Sequence, residues 1–143
     1  MSITFKNIEN GFKFPPVVQS YAQSAIDHYA LASLDMNPVH TNEEWAACAK
    51  VFGIPETVGH GMMTMSTLAS VVTRAWGVVR KDGGCIRYID AKFTKPVKVG
   101  ETVTATGTVK RKHRSRRRTP RVISSGLPRL GTTFPIKLNA AGS

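Results

Sequence analysis

The longest apolar block in the chain runs from Gly61 to Trp76. Met62, Met63, Met65, Leu68, Ala69, Val71, Val72, Ala75 and Trp76 leave almost no polar face, which predicts a helix surrounded by protein. It is too short to cross a bilayer, which takes about 20 apolar residues. Upstream, Ile26, Tyr29, Ala30 and Leu34 recur at helical spacing and predict a short helix over 24–34 with Ser24 as its N-cap. Thr41 or Asn42, followed by Glu43 and Glu44, opens another helix that runs to about Val51 and is stopped by Gly53 and Pro55. Met1 to Pro16 is an irregular entry, and Val17 to Gln23 reads as a strand. The period changes after the long helix. Cys85 to Thr94 reads as a strand, Lys95-Pro96 and Gly100 as a turn. From 102 to 109, Thr102, Thr104, Thr106 and Thr108 alternate with Val103, Ala105, Gly107 and Val109, as in a strand with one face buried. The elements together describe an α+β protein: an antiparallel sheet wrapped around a central buried helix.

Two polar stretches interrupt this pattern. The first is Asp35-Met36-Asn37-Pro38-Val39-His40. Pro38 fixes its own φ and drives Asn37 towards extended geometry, so no helix runs through. On a bent backbone Asp35 and His40 can converge on one small site. A carboxylate and an imidazole titrating near neutrality are what a proton transfer requires. The second is Gly59-His60-Gly61-Met62, which opens the long helix and offers its free N–H groups to an anion. Plainer roles exist for each residue. Asp35 could close an Asx-turn, His40 could hydrogen-bond backbone, and His60 could support its loop. His28 reads as structural and the Met62, Met63, Met65 group as packing. Asp35, His40, Cys48 and His60 lack the tight spacing of a metal set.

These residues carry a resemblance. Asp35 to His40, then His60-Gly61-Met62, then Lys95-Pro96-Val97-Lys98-Val99-Gly100-Glu101 resemble the MaoC-like dehydratases, the hot-dog-fold family that includes the R-specific enoyl-CoA hydratases. The resemblance spans about residues 14–112. It implies R-specific hydration of a trans-2-enoyl-CoA, or the reverse dehydration of a 3-hydroxyacyl thioester. Asp35 and His40 would be the catalytic pair, Asn37 the brace of their loop, and Gly61 the helix start whose N–H meets the thioester oxygen, with His60 beside it. It implies no metal or redox cofactor, an acyl-CoA or acyl-carrier-protein thioester as substrate, and a homodimer joined edge to edge through Cys85–Thr94. The chemistry agrees with the residues. Hydration places enolate charge on the carbonyl oxygen, and a helix N-terminus suits that charge.

Charge divides the chain. Residues 1–109 carry ten basic and nine acidic residues, a net of +1; residues 110–143 carry ten basic and no acidic residues. Residues 1–112 therefore read as an incomplete hot-dog domain and 113–143 as a basic, atypical segment. That segment contains Pro128 and Pro135 and lacks sustained alternation, where the resemblance implies central strands. Three readings compete for it: a change of reading frame near His113, a disordered tail, or an anionic-surface or nucleic-acid patch. Absent aromatic residues within the run make nucleic acid the weakest of them. The corresponding alternatives for the whole protein are a non-catalytic or degraded thioester-binding hot-dog protein and a basic-tailed nucleic-acid binder. Two cysteines, Cys48 and Cys85, make no disulfide or zinc framework, and Met1 to Phe14 shows no secretory signal. The expected location is a reducing compartment, the cytoplasm.

Overall fold

The structure, a computed structural model, describes residues 8–76, 85–86, 88–114, 120–126 and 134–141. In chain order the elements are β1 (Val17–Ser20), α1 (Gln23–Ser33), α2 (Pro38–Thr41), α3 (Glu43–Ala49), a 3-10 turn (Val51–Gly53), α4 (Gly61–Trp76), β2 (Cys85–Ile86), β3 (Thr102–Ala105), β4 (Thr108–Arg114), β5 (Pro120–Gly126) and β6 (Phe134–Ala141). All strand pairs are antiparallel. β1 pairs with β3, and β4, β5, β6 and β2 follow in that spatial order. The two ladders are joined where Lys13 bridges Thr108 and the Phe14 N–H donates to the Gly107 carbonyl at 2.8 Å.

The expected strand over 102–109 is divided at Thr106–Gly107, but its alternation holds: Ala105, Gly107 and Val109 are buried and their neighbours less so. A methyl group at Gly107 would stand 3.1 Å from Val71 and 3.2 Å from Phe14, so the missing side chain lets α4 cross the sheet closely. One core lies between α4 and the sheet, from Phe14, Val17, Leu68, Val71, Val72, Ala105 and Val109 with Ile8. A second, around Tyr21, Ile26, Met63 and Val97, lies beneath α1 and the start of α4.

Several expectations change. The helix over Gly61–Trp76 is present, yet Met62, Ser66 and Arg74 are exposed along one stripe; the sheet covers α4 on one side, not all round. α1 begins at Gln23 with Ala22, not Ser24, at its N-cap, and no side chain caps it. Gln23 is drawn into the helix because its amide joins a tertiary network. Asn42 does cap α3, accepting the Trp45 N–H at 2.8 Å. Of the strand expected over Cys85–Thr94, the ladder takes only Cys85–Ile86; 87 lies outside the described residues and 88–94 carry no strand. The basic run enters β4 through Arg114, and Pro120–Gly126 and Phe134–Ala141 occupy the middle of the sheet. Their prolines sit near strand ends, at the first position of β5 and the second of β6, where a missing donor disturbs a ladder least. Pro128 lies outside the described residues. Among the described residues no helix is long and apolar enough to cross a membrane.

Candidate active site

The site is built on the turn between α1 and α2. α1 ends at Leu34 in the left-handed region (φ 60°), and the Leu34 and Asp35 N–H groups both reach the Ala30 carbonyl. A non-glycine residue there costs on the order of 1–3 kcal/mol, and the reversal delivers Asp35 to the surface with its side chain 55% exposed. Asn37 then caps α2: its side-chain oxygen accepts the Val39 N–H at 3.2 Å, with Pro38 at the first helical position. The Asn37 N–H lies 3.4 Å from Asp35 Oδ1, so Asp35 also closes a loose Asx-turn. That plainer role leaves Oδ2 free of it.

Residues 57–60 approach from the other side. They are pinned by the turn at 95–101: the Gly59 N–H donates to Val97 O at 2.8 Å and the Val99 N–H to Thr57 O at 3.0 Å. The same turn holds Tyr21 through the Gly100 N–H and the Glu101 carbonyl. A side chain at Gly59 would fall 2.3 Å from the Tyr21 ring, a contact no real Cβ makes. The edge of the ring therefore packs against the Gly59 backbone, and its hydroxyl hydrogen-bonds Thr64 Oγ1 at 2.9 Å. Burial pushes the Tyr21 phenol above its ordinary value, so it remains a proton-bearing partner.

These supports bring Asp35, His40 and His60 together, with one potential ligand atom from each within 4.8 Å of the others. The His40 and His60 rings stack, centroids 3.8 Å apart at 28°. His40 Nδ1 lies 2.6 Å from the Val58 carbonyl, which can only accept, so Nδ1 carries the hydrogen and Nε2 keeps a free lone pair. Burial lowers the His40 pKa, and the neighbouring His60 adds to this; the Val58 carbonyl and Asp35 oppose it. The ring is thus held in the form able to accept a proton. His60 Nε2 lies 2.9 Å from the Asp35 main-chain carbonyl and 4.0 Å from Asp35 Oδ2. With one nitrogen of each ring donating to a carbonyl and Asp35 Oδ1 in the Asx-turn, Asp35 Oδ2 and His40 Nε2 are left to move protons, while His60 Nδ1 is buried. Cys48, grouped with these residues in the sequence, is exposed on α3 and lies outside the cluster.

Gly61 is the first residue of α4. The first α-helical bond there is from Thr64 N–H to His60 O, so the N–H groups of Gly61, Met62 and Met63 have no partner within the helix. Gly61 is exposed, and a methyl group on it would meet only the Phe93 ring at 3.7 Å. Packing does not demand glycine at this position.

Sequence reasoning missed Gln23 and Thr57. The Gln23 amide donates to His40 O at 2.8 Å and to Asp27 Oδ1 at 2.7 Å, and accepts from the buried Thr57 hydroxyl. It ties α1, α2 and the loop before His60 at a single point. Its only signal in the sequence was a polar residue at the start of an apolar helix face. Tyr29, whose ring centroid is 5.0 Å from that of His60, was read only as one of the helically spaced positions that predict α1.

The family model described as MaoC like domain matches residues 5–126, and the chain belongs to that family. The (R)-specific enoyl-CoA hydratase of Rhodospirillum rubrum is 33% identical over 107 residues, 73% of this chain and 68% of that protein. The 3-hydroxyacyl-thioester dehydratase X of Mycobacterium tuberculosis is 35% identical over 88 residues, 59% of this chain and 28% of that protein. Among solved structures, the unliganded R-hydratase PhaJ1 of Pseudomonas aeruginosa aligns with a TM-score of 0.75 at 22% identity, over 99% of this chain and 86% of that one. The shared fold is the hot-dog fold.

Proposed function

We propose that the protein hydrates trans-2-enoyl-CoA to the R-3-hydroxyacyl thioester, or runs the reverse dehydration. The observation that supports this is the meeting of the exposed Asp35 carboxylate, His40 with its Nε2 lone pair available, and His60, which directly precedes a helix whose first N–H groups have no partner within the helix. Asp35 and His40 act on the water and on the proton exchanged at C2. The Gly61 N–H stabilises charge on the thioester oxygen, and Asn37 braces the loop that carries the pair. Balanced over the reaction, water loses one proton to the pair, its hydroxyl adds at C3, and C2 gains one proton from the pair. The catalysts end as they began.

The substrate is an acyl-CoA or acyl-carrier-protein thioester, and the active form is a homodimer. The site is open on the single protomer, where Met36, Met62 and Phe93 are about half exposed. A second copy would cover that apolar rim. The protein would act in the cytoplasm.

The test is hydration of crotonyl-CoA with chiral analysis of the product. The R alcohol is expected, and Asp35→Asn and His40→Ala should each lower kcat/KM by about 10²–10⁴-fold while thermal unfolding stays where it was. A folded protein without turnover, or variants at near-native rates, would overturn the assignment.

A further inference from the structure

His60 is deeply buried, at 2% exposure, and its hydrogen bonding is incomplete among the described residues. Its Nε2 faces the Asp35 carbonyl at 2.9 Å, an acceptor only, so Nε2 bears the hydrogen. Nδ1 is then a lone pair, sealed from solvent and without a partner. Unpaired buried polar groups carry a penalty, which leucine or methionine at this position would avoid while filling similar space. The histidine is therefore not explained by packing.

What the ring does touch is informative. Its Nε2–H holds the main chain of Asp35, its face carries the His40 imidazole at 3.8 Å, and Tyr29 backs it at 5.0 Å. Asp35 lies on the turn after α1 and His40 in the short α2 that follows it, and His60 contacts both while directly preceding the helix that opens at Gly61. We propose that His60 is a positioning residue: its Nε2–H tether to the Asp35 carbonyl and its stack on His40 set the carboxylate and His40 Nε2 in register with one another and with the start of α4. It does not exchange a proton with substrate, because Nδ1 is sealed from solvent and Nε2 is committed to the carbonyl. The catalytic roles of Asp35 and His40 come from the proposed function; the tether and the stack do not.

The titratable groups around the stacked pair are Asp35 on the turn after α1, Tyr29 on α1, and Asp27 on α1, held by the Gln23 amide that also donates to His40 O. Replacing His60 removes the ring stacked on His40 and its own lowering effect on the His40 pKa. The His40 titration should then rise towards the ordinary histidine value of 6.5.

Two variants separate the tether from mere volume. Glutamine at 60 can place an amide nitrogen near the position of Nε2; leucine fills space but cannot donate. In the ¹⁵N-labelled full chain, long-range ¹H–¹⁵N spectra should show His40 as the Nδ1–H tautomer and His60 as the Nε2–H tautomer. In His60→Leu, His40 should lose its tautomer preference and titrate higher, and kcat should fall by about 10-fold or more with KM changed little; His60→Gln, which restores the donor, should recover most of the tautomer preference and of kcat. A wild-type His60 in the Nδ1–H form, an unchanged His40 titration in His60→Leu, or a His60→Gln no better than His60→Leu would overturn the proposal. If His60→Leu fails to fold, the wild-type tautomers and the glutamine variant still decide. The spectra need no turnover, so absence of hydratase activity would count against the proposed function and leave the positioning role to be judged by the spectra.

Discussion

Residues 21–76 and the strands from Thr108 onward are held by different means. The first region depends on individual side chains: the Tyr21 ring edge against Gly59, Gln23 bridging Asp27, Thr57 and the His40 carbonyl, and Asn37 and Asn42 capping short helices. The second depends on backbone pairing, β4 with β5 and β5 with β6 over six residue pairs each, with one register shift in β4 between Val109 and Arg111. The first lies in the part of the chain with near-balanced charge, while the second lies in the part with ten basic and no acidic residues. A side-chain network fails one bond at a time. A ladder in the middle of a sheet fails as a unit, because losing one strand leaves two neighbours unpaired.

The comparison is broken most severely by ending the chain after Gly126. That removes β6, the strand between β5 and β2, and uncovers backbone donors and acceptors on both neighbours. We expect loss of cooperative unfolding by circular dichroism; a sharp transition at the full-length temperature would mean that residues 21–76 fold without the central strands.

Two glycines sharpen the comparison within the first region. Gly59→Ala forces a methyl group into the Tyr21 ring and should cost about 1–3 kcal/mol, the usual range for overpacking. Gly61→Ala meets only the Phe93 ring at ordinary contact distance and gains helix propensity of roughly 0.5–1 kcal/mol. It should unfold no earlier than wild type, yet lose activity, because its methyl group stands at the helix start. Thermal melts should therefore separate the two variants, and in Gly61→Ala kcat/KM should fall while the melting temperature does not.

The smallest effect is that of pH. His40 has a lower pKa folded than unfolded, chiefly through burial. Between those two values the unfolded chain binds more protons, so stability rises with pH. The contribution of neutral His40 is complete above its ordinary value of 6.5 and is lost as pH falls from there through the folded value. The acid limb of kcat/KM should lie below 6.5 for the same reason. Activity that grows as the solution is made more acidic would contradict a basic role for His40.

Local chemistry was legible in the sequence and distant pairing was not. The Asn-Pro turn, the Asn42 cap followed by Glu43 and Glu44, and the apolar run of α4 each announce themselves within a few residues. The convergence of Asp35 and His40 was readable because both sit on one turn. Gln23 and Thr57 were not readable, because their partners lie 17 and 34 residues away. The same holds for β5 and β6: alternation is weak in both, and their place depends on neighbours rather than on their own pattern. The all-round apolar reading of α4 overlooked Ser66, Ser70 and Arg74, which share a stripe one turn apart.

The central claim is that Asp35 and His40 act as one proton-transfer unit. A double-mutant cycle tests it most directly: kcat/KM for crotonyl-CoA hydration in wild type, Asp35→Asn, His40→Ala and the double variant. Residues that act as a unit are strongly non-additive, so the double variant should be about as slow as the slower single variant. Losses that simply multiply, or a double variant near the wild-type rate, would contradict the account.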